Sequence, residues 1–424
     1  MRNMISGNQF TQTYRSNDKF EKADLEERKM QYLYNQGEEY HFMDSQSYEQ
    51  IFITAEQLGD SVNFMVDNMD VDVLFFADKP IDVSLPIFVN LAVVKADPWV
   101  KGDTSGTDTK PVTVETGYIL QLRARAALLQ ALRTFFISRN FIEVETPLRQ
   151  LTVIPEAYIL PLRSEECYLQ SSPELYMKRL LAAGSGDIFQ ICKCFRKDEK
   201  GMRHLEEFTM LEWYRMGGDY GNLMQDCEDL LRFCIKETAA ELRACGAREE
   251  KAPALWQLLH NDTSWDRTSV ASAFVRYAPL SLEQAMTSGS FDQHLVEYIE
   301  PHLGRDLPEF LLDYPASLAS LARLKKEDAS LAERFELYIQ GVELANGFSE
   351  LVDPVEQAQR FALEAQVIVE QGRESPALPQ SFLDALNQLD NCAGIALGVD
   401  RLFMLMLGKK SIADAIAFGP GEMD

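Results

Sequence analysis

The chain has 424 residues and carries 66 acidic against 41 basic side chains, a net charge of −25. That balance argues against broad nucleic-acid affinity, which needs clustered Lys and Arg, and the length implies two or three domains rather than one core. At 46% apolar and 25% charged the composition is that of a globular protein, and no apolar run approaches the roughly 18 residues of a membrane span. The seven cysteines show no paired metal spacing. The closest pair, Cys192-Lys193-Cys194, reads as part of a buried strand. Their odd number and the lack of a signal peptide point to the reducing cytoplasm.

Taken in chain order, residues 1–118 are rich in short alternating segments such as "YHFMD", "VDVLFFADKPIDVSLP" and "FVNLAVVKA". These predict strands of a small β-barrel domain. One charged stretch, "KFEKADLEERKM" (19–30), reads as helical. "DPWVKGDTSGTDTKPVTVETG" (97–117) is crowded with turn residues and reads as a connector.

The pattern changes at 119, where the second domain (119–424) is expected to begin. "ILQLRARAALLQALRTFFISRNF" has apolar residues at helical spacing, and "FIEVETP" alternates like a strand. "CEDLLRFCIKETAAELRACGAREEKAPALWQLL" (227–259) reads as a charged peripheral helix. "ALGVDRLFMLMLGKKSIADAIAF" (396–418) begins as strand or turn and continues as helix. The fold class is α+β.

Four stretches could carry chemistry. In "FRKDEKGMRHLEEFTMLEWYR" (195–215), Arg196 ends one strand and Asp198 follows after a single residue. The return strand then puts Phe208, Met210, Glu212 and Tyr214 on one face. An arginine there can grip a phosphate with two hydrogen bonds, a carboxylate can accept from an adenine amine, and an aromatic can cover the purine. A surface hairpin with ordinary salt bridges is the alternative. In "GVELANGFSEL" (341–351), Glu343 and Glu350 flank an Asn-Gly turn and could hold Mg²⁺ or an ammonium group. In "GIALGVDRLFMLMLG" (394–408), glycines permit close approach to a ligand and Arg401 starts a helix. In "SSPELYMKRLL" (171–181), Ser172-Pro173-Glu174 reads as a helix start with Pro at its first position.

Taken together and in this order, the stretches resemble the catalytic core of class II aminoacyl-tRNA synthetases of the lysyl type, an antiparallel sheet with flanking helices. Residues 119–418 resemble the compact synthetase-like enzymes that modify elongation factor P. The resemblance implies ATP and Mg²⁺ as cofactors and lysine or (R)-β-lysine as substrate. Arg196 would grip the α-phosphate, with Phe208 stacked on adenine and Asp198 at the place of the family's adenine-facing glutamate. Arg401 would meet the γ-phosphate and Glu343 would help hold Mg²⁺, while Leu344 and Gly398 would complete the nucleotide site. Glu174 would hold the amine nearest the carboxylate, and Tyr214 and Glu350 the distal ammonium, with Ser172 and Ala396 lining the pocket. Lysyl-tRNA synthetases have glycine where Ala396 stands, which leans toward (R)-β-lysine. Where the family has an asparagine this chain has Leu205, which cannot hydrogen-bond to nucleotide. "FIEVETP", with Pro147, resembles the motif that packs a homodimer in class II enzymes.

Residues 10–117 resemble elongation factor P itself: its middle OB-type domain and, through "GDTSGTDTKP", the hinge into its last domain. The lysine-bearing first domain is missing and the last domain stops after one strand, so the piece reads as a relic of a gene fusion, or else as a docking or spacing module. The expected acceptor is a lysine of a separate elongation factor P. Charging of tRNA, and a degenerate fusion without catalysis, are the competing readings.

Overall fold

The computed structural model describes residues 25–44, 47–65, 69–85, 93–96, 112–114, 117–244, 247, 253–259 and 263–419. The chain divides into two units, Met1–Leu120 and Gln121–Asp424.

In the first unit, alternation drives the sheet. Strands β1 (Leu25–Gln36), β2 (Glu39–Asp44), β3 (Gln50–Thr54), β4 (Asp70–Phe76) and β5 (Lys79–Ser84) pair antiparallel in the order β3-β2-β1-β4-β5. Val71, Val73 and Phe75 alternate inward from β4 and meet Met30, Tyr32, Phe42 and Ile53 in one core. This corrects the helix expected at 19–30. Residues 25–30 are strand, because Met30 and Tyr32 supply core contacts at a spacing of two; residues 19–24 lie outside the described residues. Strands β6 (Val93–Ala96) and β7 (Val112–Val114) form an antiparallel ribbon. "GDTSGTDTKP" also lies outside the described residues.

The second unit is built on an eight-stranded sheet. Its strands are β8 (Ile142–Glu143), β12 (Ile188–Phe195), β13 (Glu207–Met216), β14 (Asp266–Ser269), β15 (Glu309–Pro315), β16 (Leu331–Ile339), β17 (Val342–Ser349) and β18 (Cys392–Gly398), in the order β14-β15-β16-β17-β18-β13-β12-β8. The six inner strands are antiparallel, and β14 and β8 join the two edges in parallel. A three-stranded ribbon of β9 (Arg149–Gln150), β10 (Arg163–Ser164) and β11 (Cys167–Leu169) stands apart from it.

One face of the sheet is apolar. Phe189, Leu211, Trp213, Phe335, Leu337, Ile395 and Leu397 share a core with residues of the helices Gly117–Ile137, Tyr220–Ala244 and Val399–Met406. The first helix buries Ala124, Leu128, Ala131, Leu132, Phe135 and Phe136, the stripe its spacing predicts. The second is not peripheral: Leu223, Cys227, Leu230, Leu231, Cys234 and Ile235 lie deep in the core, and Asp226 and Glu228 are buried too, ion-paired with Arg215 and Arg232. Among the described residues no helix is long and apolar enough to cross a membrane.

The Asn346-Gly347 pair also departs from expectation. It is not a turn but the middle of β17, with Asn346 opposite Glu336 and Ala396 and Gly347 opposite Phe335 and Ile395. The hairpin turns instead at Gln340-Gly341, both at positive φ. Gly347 is required by space, since an added Cβ would stand 2.9 Å from both Ile395 Cβ and the Phe335 ring. Gly347→Ala is expected to destabilise the protein by about 1–3 kcal/mol through overpacking, measured by denaturant unfolding.

Candidate active site

The polar face of the sheet carries a cavity of about 570 Å³, and strand register assembles its floor. Residues directly opposite in neighbouring antiparallel strands share a face. Glu336, Asn346, Ala396, Glu212 and Gln190 form one rung across β16, β17, β18, β13 and β12; Arg334, Phe348, Gly394, Tyr214 and Ile188 form the next. Gly394 has to be glycine, because a Cβ there would meet the Tyr214 ring at 2.3 Å and a Glu350 oxygen at 2.4 Å.

One end of the cavity is acidic. Ser172 Oγ donates to Glu212 Oε2 (2.8 Å) and accepts from the Glu174 backbone N–H (3.1 Å). Ser172 thereby ties the start of the helix Glu174–Ala182 to β13; Pro173 sits at the cap position rather than at the first helical position. Tyr214 Oη donates to the other Glu212 oxygen at 2.6 Å. Burial and the neighbouring Glu174 charge push the Glu212 carboxyl up to about 8, although both hydroxyls and Lys178 oppose the shift. Glu156 lines the same cavity, and desolvation lifts it to about 7. Glu350 is fully buried and does not line the cavity wall. It is ion-paired with Lys178, which also meets Glu174 Oε1 at 2.5 Å. Burial raises the Glu350 carboxyl well above the usual range, against the pull of Lys178.

The other end is cationic. Arg196 leaves the end of β12, lies 5.2 Å over the half-buried Phe208 ring and faces Glu199 at 3.7 Å. Arg401, at the start of the helix Val399–Met406, donates to the Glu343 backbone oxygen (2.9 Å) and lies 3.5 Å from the Glu343 carboxylate. It also donates to the Arg203 carbonyl (3.1 Å) and contacts His204 Nε2 at 2.7 Å. Burial, then the Arg401 charge, depresses the His204 imidazole. Leu205 reaches the cavity and packs against the apolar core, so a side chain at that position serves packing as well as the site. Gly398 and Ala396 line the cavity; Leu344 does too, while belonging to the core cluster.

The expected site is therefore largely brought together: Ser172, Glu174, Arg196, Phe208, Tyr214, Glu343, Leu344, Ala396, Gly398 and Arg401 line a single cavity. Asp198 is a correction. The strand ends at Phe195, so alternation does not carry past Arg196. Asp198 sits exposed at φ +64°, its N–H bonded to Glu206 Oε1 at 2.9 Å, and Glu199 takes the place facing the cavity. Sequence reasoning also missed Glu212, Lys178, Glu156 and Arg334. The signal for Glu212 was present, since it alternates with Phe208 and Tyr214. Among the described residues no group of three or more His, Cys, Asp or Glu could hold a metal ion.

The raised Glu212 carboxyl has a consequence for stability. The folded protein binds this proton more tightly than the unfolded chain, so the contribution is complete below about pH 4.5 and is lost as pH rises through about 8. Glu212→Gln is expected to flatten the fall of the thermal midpoint between pH 5 and about 8, read by thermal unfolding across a pH series.

Comparison with known proteins agrees with this architecture. Residues 113–421 match the model of class II tRNA synthetases (D, K and N), residues 25–83 that of the elongation factor P OB domain, and residues 89–122 that of the elongation factor P C-terminal domain. Proteins named elongation factor P–(R)-β-lysine ligase from Salmonella typhi, Salmonella heidelberg (strain SL476) and Salmonella enteritidis PT4 are each 40% identical over 316 residues, covering 71% of this chain and 95% of theirs. The chain belongs to the class II tRNA synthetase family, on the branch of the elongation factor P–(R)-β-lysine ligases, and carries elongation factor P domain sequence ahead of that core.

Proposed function

We propose that the protein is an ATP-dependent ligase that activates lysine or (R)-β-lysine as its adenylate and transfers it to a lysine of a separate elongation factor P. The observation that carries the reading is the polarity of the cavity. Carboxylates Glu174 and Glu212 gather at one end and arginines Arg196 and Arg401 at the other, on one continuous sheet floor. A diamino acid has ammonium groups to match the first end, and a triphosphate has charge to match the second.

The carboxylate of the amino acid would attack the α-phosphorus of ATP. The bond from the α-phosphorus to its bridging oxygen would break, and pyrophosphate would leave. The amine of the acceptor lysine would then attack the acyl carbon, displacing AMP and losing a proton. Charge grows on phosphate oxygens in the first step, where Arg196 stands ready to stabilise it. Glu174 and Glu212 orient the amines, and a substrate lacking one amine leaves a buried carboxylate unpaired, a loss of about 3 kcal/mol. The Ala396 methyl, between Asn346 and Glu212 on the floor, takes space beside the amines and favours (R)-β-lysine.

Mg²⁺ held through phosphates needs only one or two protein carboxylates. The Glu343 charge pushes up both Glu336 and Glu300, the latter to about 7, in each case behind burial as the larger cause. An added cation would relieve that crowding, so the residues fit the ion. Glu343 and Glu336 would hold it, and it would add positive charge beside the phosphates.

The direct test supplies ATP, each lysine isomer and full-length elongation factor P, and weighs the factor for an added lysyl group. Transfer to tRNA instead would overturn the reading. Arg196→Ala is expected to lower pyrophosphate exchange at least ~100-fold. Glu199→Ala is expected to raise the ATP KM about tenfold, while Asp198→Ala changes it less than about twofold; steady-state exchange kinetics compare them.

A further inference from the structure

The steps proposed above leave Glu156 without work, although it lines the cavity. It sits on the segment between β9 and β10, and that segment is fastened at several points. Val153, Ile154 and Ala157 are buried, and Ile154 joins a core cluster with Leu175 and Tyr214. The Ala157 N–H donates to Glu364 Oε2 at 2.8 Å, the Ala157 carbonyl accepts from Arg373, and the Leu160 carbonyl accepts from the Lys197 N–H at 2.8 Å. The last bond holds the segment beside Arg196. Tyr158 is 81% exposed yet lines the same cavity, so the segment runs along its mouth.

Glu174 and Glu212 are tied down by Lys178 and by two hydroxyls. The Glu156 carboxyl has no hydrogen bond or ion pair among the described residues. The charges that act on it are Arg196 at the end of β12, Glu174 at the start of its helix, Glu364 on the helix Pro354–Glu370 and Arg334 on β16. It therefore stands between the two ends of the cavity, within reach of an arginine of one and a carboxylate of the other. On the ligase reading the acyl carbon of the adenylate lies at that junction. Desolvation, against the pull of Arg196, lifts the Glu156 carboxyl to about 7, where a proton acceptor works best at neutral pH.

We propose that Glu156 is a catalytic residue of the transfer step: it takes the proton that the acceptor lysine must lose before its amine can attack. A lysine side chain arrives as an ammonium, which has no lone pair to offer. One proton passes from it to a Glu156 carboxylate oxygen, and the freed amine forms a bond to the acyl carbon. The bond from that carbon to the phosphate oxygen breaks, AMP leaves, and the new amide nitrogen sheds its second proton to water. Adenylate formation needs no such acceptor, because the attacking carboxylate is already ionised.

This rests on the ligase reading, so the test separates the two half-reactions. Wild type and Glu156→Gln are compared in pyrophosphate exchange, in transfer from preformed adenylate to elongation factor P, and in transfer to hydroxylamine, an amine already unprotonated at neutral pH. In the variant the ratio of factor transfer to exchange is expected to fall about 100-fold, while the ratio of hydroxylamine transfer to exchange changes less than about threefold. Wild-type transfer to the factor is expected to rise with pH through about 7 and then level. In the variant it keeps rising toward about pH 10, where lysine loses its proton unaided. Glu156→Ala gives the same comparison if the glutamine variant does not fold. A factor-transfer ratio within about threefold of wild type in either folded variant overturns the proposal. So does an equal loss with hydroxylamine, which would mark a role in holding the adenylate. A wild-type chain that makes the hydroxamate but leaves the factor unmodified sinks the ligase reading itself, a failure seen before any variant is made.

Discussion

The site depends above all on the register of the central antiparallel strands. A slip of one residue in β13 would carry Glu212 and Tyr214 to the apolar face and bring Leu211 and Trp213 into the cavity. Trp213 is completely buried against Phe136 and its indole N–H bonds to Asp226, so the core that fixes the register lies directly beneath the rungs that form the floor. Stability and chemistry are alternate residues of the same strand. That is why "FTMLEWY" leaves so little freedom: each position is committed either to the helices below or to the cavity above.

The two ends of the cavity are electrostatic opposites, and the side chains at each end are tied to partners within the protein. At the acidic end, Glu212 takes hydrogen bonds from Ser172 and Tyr214, and Lys178 spans Glu174 and Glu350. At the cationic end, Arg196 leans on the Phe208 ring and toward Glu199. Such networks hold side chains in place before substrate arrives, so less ordering remains to be done on binding. Arg125 anchors the cationic end from below, reaching Asp400 at 2.5 Å and Thr209 Oγ1 at 3.2 Å; Asp400 in turn accepts from the Thr209 N–H at 2.7 Å, tying β13 to the helix that carries Arg401.

What the sequence revealed follows from how local each signal is. The hairpin of β12 and β13 was legible because alternation over eight or more residues is a strong period-two signal. The first core helix was legible by its apolar stripe. The Asn-Gly pair misled because turn chemistry is a local preference, and pairing on both sides of β17 overrode it. Residues 25–30 misled because their charges suit a helix, whereas continuous pairing with β4 decides the matter. Asp198 was misplaced by carrying alternation past the end of a strand. Lys178 could not be seen at all: a lysine in "ELYMKRLL" reads as a solvent-facing helix residue, and only the third dimension brings Glu350 to it.

Arg401 commits its donors to the Arg203 carbonyl, to His204 and to Glu343. Two of those acceptors lie on the loop between β12 and β13, the same loop whose Glu199 faces Arg196. A phosphate meeting Arg401, as the proposed function has it, would exchange partners with the loop instead of finding a free guanidinium. On the proposed reading the loop would act as a latch that the nucleotide lifts, with part of the attraction between arginine and phosphate spent in lifting it.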